Sequence, residues 1–117
     1  MPECIEFCMN VLEAHPTELA GATAFRCLTH ISRKSAAYCM AVVKTGLVIA
    51  MSGGSKQPCC YVDFKSIGCI DRMRNQKTSQ LFCALINKTL GVPPTSIYIT
   101  FRDVAREDWG FNMGTFA

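Results

Sequence analysis

The hydrophobic pattern of the chain switches from a strand period to a helix period and back, and this switch occurs twice. In the first half, residues 4–9 alternate between apolar and polar side chains, as a half-buried strand does. A helix begins near Pro16, and its apolar stripe runs to Ile31. The run Tyr38–Val43 is apolar throughout, which is typical of a strand covered on both faces. We predict one further short strand at 47–51.

The second half repeats this order of elements without repeating its residues. Residues 59–67 alternate again, and a helix is predicted from about Asp71. That helix ends at Gly91, because glycine readily takes the left-handed conformation that closes a helix. The run 97–101 is rich in β-branched and aromatic residues and predicts the last strand. Each unit of strand, helix and strand requires a right-handed crossover between parallel strands.

The two units predict an α+β fold in one domain, residues 1–117. The economical arrangement is a four-stranded sheet with both helices on one face. That arrangement leaves the other face of the sheet uncovered, while hydrophobic residues make up 50% of the chain. A chain of this size hides only part of its surface by itself. We therefore expect other subunits to cover the apolar strands, packing sheet against sheet.

Charge and hydropathy exclude several classes of partner. The formal net charge is +3, and the basic residues are scattered rather than gathered into the footprint that nucleic-acid binding needs. No apolar run reaches the roughly 18 residues of a membrane span. The start Met1–Cys4 lacks the basic and apolar regions of a signal peptide, so we expect a cytoplasmic protein. Secretion without a signal peptide stays open, because no sequence pattern reports it.

Eight cysteines are many for this length, and three interpretations compete for them. A disulfide scaffold is typical of small secreted chains with little core, whereas this chain is rich in apolar residues. Zinc binding would need paired ligands, but there is no C-x-x-C pair, and neither His15 nor His30 is suitably spaced to a cysteine. We therefore predict free thiols that pack as small apolar residues, with no metal and no cofactor. The Ser-Gly-Gly-Ser turn at 52–55 also lacks the pattern of a phosphate-binding loop.

The second residue has the chemistry of a base. Removal of Met1, which a small penultimate residue permits, would leave Pro2 with an N-terminal secondary amine. Apolar surroundings and a nearby cation disfavour the ammonium form, so the pKa of this amine would fall toward the working pH, as a general base requires. Met-Pro starts are common, however, and the dipeptide by itself favours no catalytic role.

Short motifs along the whole chain supply the context that Pro2 lacks. They resemble, in order and spacing, those of the macrophage migration inhibitory factor and D-dopachrome tautomerase family, from Pro2 to Ala117. Each motif is weak alone, whereas the ordered set is specific, and the aromatic tail is more similar to protist than to vertebrate members. The motifs are Met1-Pro2, Lys34 with Tyr38 four residues later, Ser52-Gly53-Gly54-Ser55, Ser66-Ile67-Gly68, Ile97-Tyr98-Ile99, Trp109-Gly110-Phe111-Asn112 and Thr115-Phe116.

The resemblance implies a homotrimer of double β-α-β subunits, whose sheets enclose a central channel and whose active sites lie between neighbouring subunits. It implies that Pro2 is the general base of a tautomerase acting on an enolisable α-keto acid such as phenylpyruvate, or on a dopachrome-like compound. It also implies that Lys34 holds the substrate's carboxylate or carbonyl oxygen, that Ile67 adds a backbone contact, and that Tyr98 reaches in from the adjacent subunit. The implied apolar wall of the pocket consists of Tyr38, Trp109, Phe111 and Phe116.

Five positions depart from the family's pattern. The usual Gly-Lys-Pro around Lys34 is Arg-Lys-Ser here, so the end of the first helix is expected to differ. Thr100 replaces an asparagine common in vertebrate members and has a shorter reach. Glu3 replaces an apolar residue beside the proline, where a carboxylate facing the pocket would raise the pKa of the amine and repel an anionic substrate. Val62 takes the second place of a C-x-x-C pair, so thiol oxidoreductase activity of that type is not expected.

Three functions follow as hypotheses. The first is a keto–enol tautomerase with Pro2 as its base. The second is an extracellular cytokine-like signal protein with a vestigial pocket, whose partner would be a host or self cell-surface receptor. The third is a binding module of the same fold without catalysis. The mature N-terminus tests the first, because a retained Met1 would block the amine, whereas detection outside intact cells and receptor binding by a Pro2→Gly variant would favour the second.

Overall fold

A computed structural model of the chain describes residues 2–10, 38–51 and 57–117. The first predicted helix and Lys34 lie outside these residues. The main strands are β1 (Glu3–Met9), β2 (Cys39–Lys44), β3 (Cys60–Ser66) and β4 (Ile97–Asp103), and helix α1 (Arg72–Leu90) lies between β3 and β4. Near the C-terminus, β5 (Gly110–Phe111) and β6 (Gly114–Thr115) form a small hairpin.

The four long strands form one mixed sheet in the order β2-β1-β3-β4. The outer pairs β1–β2 and β3–β4 are parallel, and the two pairs meet along an antiparallel β1–β3 border. Parallel neighbours need a crossover connection, and α1 supplies it between β3 and β4. The four-stranded α+β fold predicted from the sequence is therefore confirmed, together with the second of its two helices.

The hydrophobic core contains alternate side chains of the sheet and the inner face of α1. In β1 every second residue is buried, and Ile5, Phe7 and Met9 are fully enclosed. Phe82 of α1 stacks on Phe64 of β3, with ring centroids 5.6 Å apart. Because burial of one large apolar side chain contributes about 1.5–3 kcal/mol, this packing sets which way each strand faces. It thereby also determines which side chains project from the opposite face of the sheet.

Helix α1 begins and ends at the residues that the sequence indicates. The carboxylate of Asp71 accepts a hydrogen bond from the Arg74 N–H at 2.8 Å, which caps the first turn. Gly91 has φ 71° and donates its N–H to the Asn87 carbonyl at 3.0 Å. None of the helices within the described ranges combines the length and the apolar character that a membrane span needs.

The face of the sheet opposite the core is polar, and we call it the polar face. Glu6 pairs with Lys44 at 3.4 Å, and Asp63 pairs with Lys65 at 3.7 Å and with Arg102 at 3.4 Å. These charged side chains alternate with the core residues along their strands. The expectation that apolar strands need burial on this face is therefore wrong for β1, β3 and β4, because each strand divides into one apolar and one polar side.

The predicted strand at 47–51 does not form within the chain. Residues 47–50 belong to no strand, and Met51 makes a single isolated bridge. The Leu47 N–H donates to the Met9 carbonyl at 3.0 Å, which attaches the start of the segment to the end of β1. Val48 is 97% exposed. Apolar character predicted a strand here, but a strand also needs a neighbouring edge with which to exchange backbone hydrogen bonds.

Candidate active site

Pro2 is buried at one end of the sheet, directly before β1. The next residue, Glu3, pairs with the first residue of β2 and the last residue of β3. Tyr38 immediately precedes β2 and Ile67 immediately follows β3. Pro2 therefore lies at the end of the central strand, flanked by the chain segments that carry Tyr38 and Ile67. Proline is tolerated at the start of a strand.

A cavity of about 580 Å³ opens beside Pro2. This volume suits a small organic molecule. Sheet residues supply one part of its lining, and the C-terminal segment supplies another. Five of the eight site residues that the sequence predicts line this one cavity, namely Pro2, Tyr38, Trp109, Phe111 and Phe116.

Three aromatic rings form a continuous wall of the cavity. Phe111 and Phe116 stack with ring centroids 5.3 Å apart, and Tyr38 meets them edge-on at 5.6 and 5.9 Å. Such edge-to-face and stacked pairs hold rings in defined positions beyond what burial alone contributes. Because Tyr38 belongs to the β2 side of the sheet and the two phenylalanines to the tail, the wall ties the tail to the sheet.

The C-terminal segment crosses the end of the sheet to reach this wall. After β4, the Val104 N–H donates to the Ser66 carbonyl at 2.9 Å, and the Asp103 carboxylate accepts from the Gly68 N–H at 3.0 Å. A 3-10 turn at Arg106–Asp108 then redirects the chain into the β5–β6 hairpin. The segment therefore starts beside β3 and β4 and ends against Tyr38, beside β2.

The cavity is also lined by charged and thiol side chains that the sequence did not predict to be there. Lys65 of β3 and Arg102 of β4 line it, as do Cys4 and Asp108. Alternation along each strand could have shown that Lys65 and Arg102 project from the same face as other polar residues. It could not show that they lie next to the proline, because strand register is a tertiary property.

Burial affects two side chains that follow Pro2 in β1, the Glu3 carboxylate and the Cys4 thiol. Glu3, singled out in the sequence as an unusual neighbour of the proline, is 2% exposed and lines the cavity. Its position in the alternation of β1 is that of the core residues. Burial raises the pKa of the Cys4 thiol, and the nearby Lys65 ammonium opposes only part of this effect.

Two predicted site residues of the described chain do not line the cavity. Ile67 is buried beside it at the end of β3, without contributing to its lining. Tyr98 projects from β4 and is 67% exposed. Lys34 lies outside the described residues. The single chain thus brings together the proline and the aromatic wall, and it leaves Tyr98 facing outward.

We find no candidate metal site among residues 2–10, 38–51 and 57–117: these ranges contain no group of three His, Cys, Asp or Glu side chains placed to hold an ion. Four cysteines of these ranges are half-buried, two are buried, and Cys69 is exposed, all of them as free thiols.

The chain is similar in sequence and in structure to known proteins. The family model described as macrophage migration inhibitory factor matches residues 7–117. A curated macrophage migration inhibitory factor of Xenopus tropicalis is 35% identical over 65 residues, so the alignment spans 56% of each chain, little more than half the length of that relative. A solved homologue from Prochlorococcus marinus is 35% identical, with a TM-score of 0.85, covering 97% of this chain and 99% of that one. The macrophage migration inhibitory factor of Toxoplasma gondii, at 24% identity and a TM-score of 0.84, shares the fold over 97% of this chain and 99% of that one.

Proposed function

This chain belongs to the macrophage migration inhibitory factor family, and on that premise we propose that it is a keto–enol tautomerase whose base is the amine of Pro2. The observation that carries the proposal is the position of Pro2, buried at the edge of a cavity of about 580 Å³ with an aromatic wall. Such a cavity fits an aromatic α-keto acid such as phenylpyruvate, or a dopachrome-like compound.

The proposed reaction moves one proton between carbon and oxygen. In the keto form, the amine of Pro2 accepts the proton from the carbon next to the carbonyl, and the electrons of that C–H bond form the carbon–carbon double bond of an enolate. The carbonyl oxygen receives the displaced electron pair and then takes the proton back from Pro2, which gives the enol. The reverse sequence uses the same groups, so the amine returns to its starting state in each cycle.

Two features of the surroundings of Pro2 favour the neutral amine that this step needs, while the Glu3 carboxylate, which also lines the cavity, opposes them. Burial disfavours a positive charge, and the cations Lys65 and Arg102 line the same cavity. The aromatic wall supplies apolar surface on one side of the cavity, which strengthens the electrostatic interactions beside it. Lys34 is predicted to stabilise the developing negative oxygen.

We further propose a homotrimer in which each cavity is completed by a neighbouring subunit. Tyr98 supports this proposal, since it is 67% exposed and does not line the cavity of its own chain. Val48, exposed in an apolar segment that finds no strand partner, supports it as well. The predicted contact of Ile67 with the substrate would be made through its backbone.

Two measurements on one sample test the proposal. Mass spectrometry establishes whether Pro2 is the mature N-terminus, and the loss of enol absorbance measures phenylpyruvate tautomerisation. We expect Pro2→Gly to lower kcat/KM at least about a hundredfold, the usual contribution of a positioned base. Pro58→Gly is the matched control, because Pro58 is exposed and outside the cavity lining. Full turnover by Pro2→Gly, or a retained Met1 in an active sample, would overturn the proposal.

A further inference from the structure

Four cavity residues form a straight row across the polar face of the sheet. Met40 of β2 pairs with Cys4 of β1, Cys4 pairs with Lys65 of β3, and Lys65 pairs with Arg102 of β4. All four line the cavity beside Pro2. Neighbouring strands lie about 4.8 Å apart, so the two cations are one and two strand spacings away from the central strand that begins at Pro2.

The two cations of this row are held by a single carboxylate. Asp63 pairs with Lys65 Nζ at 3.7 Å and with Arg102 Nε at 3.4 Å, and it also accepts from the Thr100 hydroxyl at 3.3 Å. Both ion-pair distances exceed those of a tight charge-assisted hydrogen bond. Two positive charges against one negative charge leave an unneutralised positive charge at this side of the cavity.

The guanidinium of Arg102 is well placed to bind an anion. Its ion pair with Asp63 is made through Nε at 3.4 Å, which leaves the two terminal nitrogens to meet an incoming carboxylate. A planar guanidinium with free terminal N–H groups matches the geometry of a carboxylate. Because the ion pair with Asp63 uses Nε, an incoming anion can bind the terminal nitrogens while Asp63 stays in place.

Two carboxylates also line the cavity, those of Asp108 and Glu3. Asp108 precedes Trp109 on the tail, which leads to the aromatic wall. A negative charge there repels an anion from the side of the tail. Glu3 lies on the alternate side of β1 from Cys4, in line with the core residues. An anion therefore finds its most favourable potential beside Lys65 and Arg102.

The order of groups across the sheet matches the order of groups in an aryl keto acid. The aromatic wall around Tyr38 lies on the β2 side, Pro2 stands before the central β1, and Lys65 and Arg102 lie on β3 and β4. A molecule with its ring on the wall has its enolisable carbon near Pro2 and its carboxylate near the cations.

We propose that Lys65 and Arg102 bind the substrate's carboxylate and thereby orient an anionic aryl substrate across the cavity, with its ring on the Tyr38 side. This inference deepens the tautomerase proposal and rests on it for the identity of the substrate. It assigns the carboxylate to the polar face and so leaves the carbonyl oxygen to the predicted Lys34. The site then prefers acids to neutral esters of the same shape.

A binding experiment tests this assignment without relying on turnover. Trp109 is the only tryptophan of the chain and lines the cavity, so its fluorescence reports occupancy. The probes are 3-phenylpropionate, which has the ring and carboxylate without a ketone, and its neutral methyl ester. We expect the double variant Lys65→Met with Arg102→Met to raise the Kd of the acid about tenfold and to leave that of the ester unchanged.

Control variants separate charge from packing. Lys44→Met removes a lysine from the same polar face outside the cavity lining, and it is expected to bind both probes as the unaltered protein does. Lys65→Arg keeps the charge and is expected to retain acid binding. In the unaltered protein the Kd of the acid rises with added salt, because salt screens the attraction, whereas that of the ester does not.

The outcomes distinguish this inference from the tautomerase proposal. An unchanged Kd of the acid in the double variant, or an equal loss for acid and ester, overturns the role of Lys65 and Arg102 whatever the activity. Loss of acid binding with retained ester binding supports it, even where phenylpyruvate is not turned over. Absence of turnover in the unaltered protein, with acid binding intact, overturns only the assignment of Pro2 as a base.

Discussion

At the scale of the residue, the thiols next to the site show how position modifies side-chain chemistry. Burial raises the pKa of the Cys4 thiol above its ordinary value of 9.0, and Lys65 offsets part of this effect. Burial likewise raises the pKa of the Cys8 thiol, and the negative charge of Glu6 adds to it. Both thiols therefore stay protonated at neutral pH to a greater extent than a free cysteine. Since the thiolate is the nucleophile, these cysteines are poor reactants although they are only half-buried.

This difference predicts an order of alkylation. With iodoacetamide at pH 7.5, we expect exposed Cys69 to be modified well before Cys4 and Cys8, as measured by peptide mass spectrometry over time. Raising the pH through 9.0 and beyond should speed the reaction of Cys4 and Cys8, because a raised pKa moves thiolate formation to higher pH. In denaturant all three should react alike. Equal rates for Cys4 and Cys69 in the folded protein would contradict this prediction.

At the scale of the element, the sequence pattern correctly predicted the strands and helix ends that depend on interactions between residues close in sequence. The alternation of residues 4–9 and 59–67 predicted β1 and β3, because one buried face requires a period of two. Asp71 and Gly91 predicted the ends of α1, because each satisfies backbone groups within one turn of the helix. These features depend on neighbours in sequence, and they are confirmed.

Features that depend on distant neighbours could not be predicted in the same way. The strand expected at 47–51 does not form apart from an isolated bridge at Met51, and no residue within that segment reports this. The approach of Lys65 and Arg102 to Pro2 depends on the registers of β1, β3 and β4, which are tertiary properties. The aromatic wall, in contrast, was implied by resemblance to a family, and its rings do line the cavity with Pro2. The roles of these residues stay predictions.

The cap of α1 provides a stability prediction for a single element. Asp71→Ala removes the acceptor of the Arg74 N–H and is expected to lower the free energy of unfolding by about 1 kcal/mol. Asp71→Asn keeps a capping oxygen and loses only the exposed ion pair with Arg74, so it should cost a few tenths of a kcal/mol at most. Urea unfolding followed by circular dichroism, at one protein concentration, measures both. An alanine variant as stable as the asparagine variant would contradict the capping role.

At the scale of the whole molecule, the two faces of the sheet have different tasks. The core face packs with α1, while the polar face carries ion pairs between strands. A polar face is unsuited to a dry interface between apolar sheets, but it suits contact with water, as the wall of the central channel expected for a trimer would require. Of the exposed apolar residues, Val48 lies beyond β2, whereas Tyr98 lies on the polar face, paired with Tyr61 at the far end from Pro2. The proposed assembly therefore rests on these positions rather than on an apolar sheet face.

In the proposed trimer, Tyr98 of one subunit acts with Pro2 of another. This arrangement can be tested by mixing two variant proteins. Tyr98→Ala alone should lower kcat/KM for phenylpyruvate about tenfold, and Pro2→Gly should nearly abolish it. When the two variant proteins are unfolded, mixed equally and refolded together, about one quarter of the interfaces should unite an intact Pro2 with an intact Tyr98. Activity should then exceed the sum of the two proteins refolded separately. Simple additivity, in a mixture whose sedimentation shows mixed trimers, would mean that Tyr98 does not act between subunits. A mixture that sediments as single chains would contradict the trimer itself.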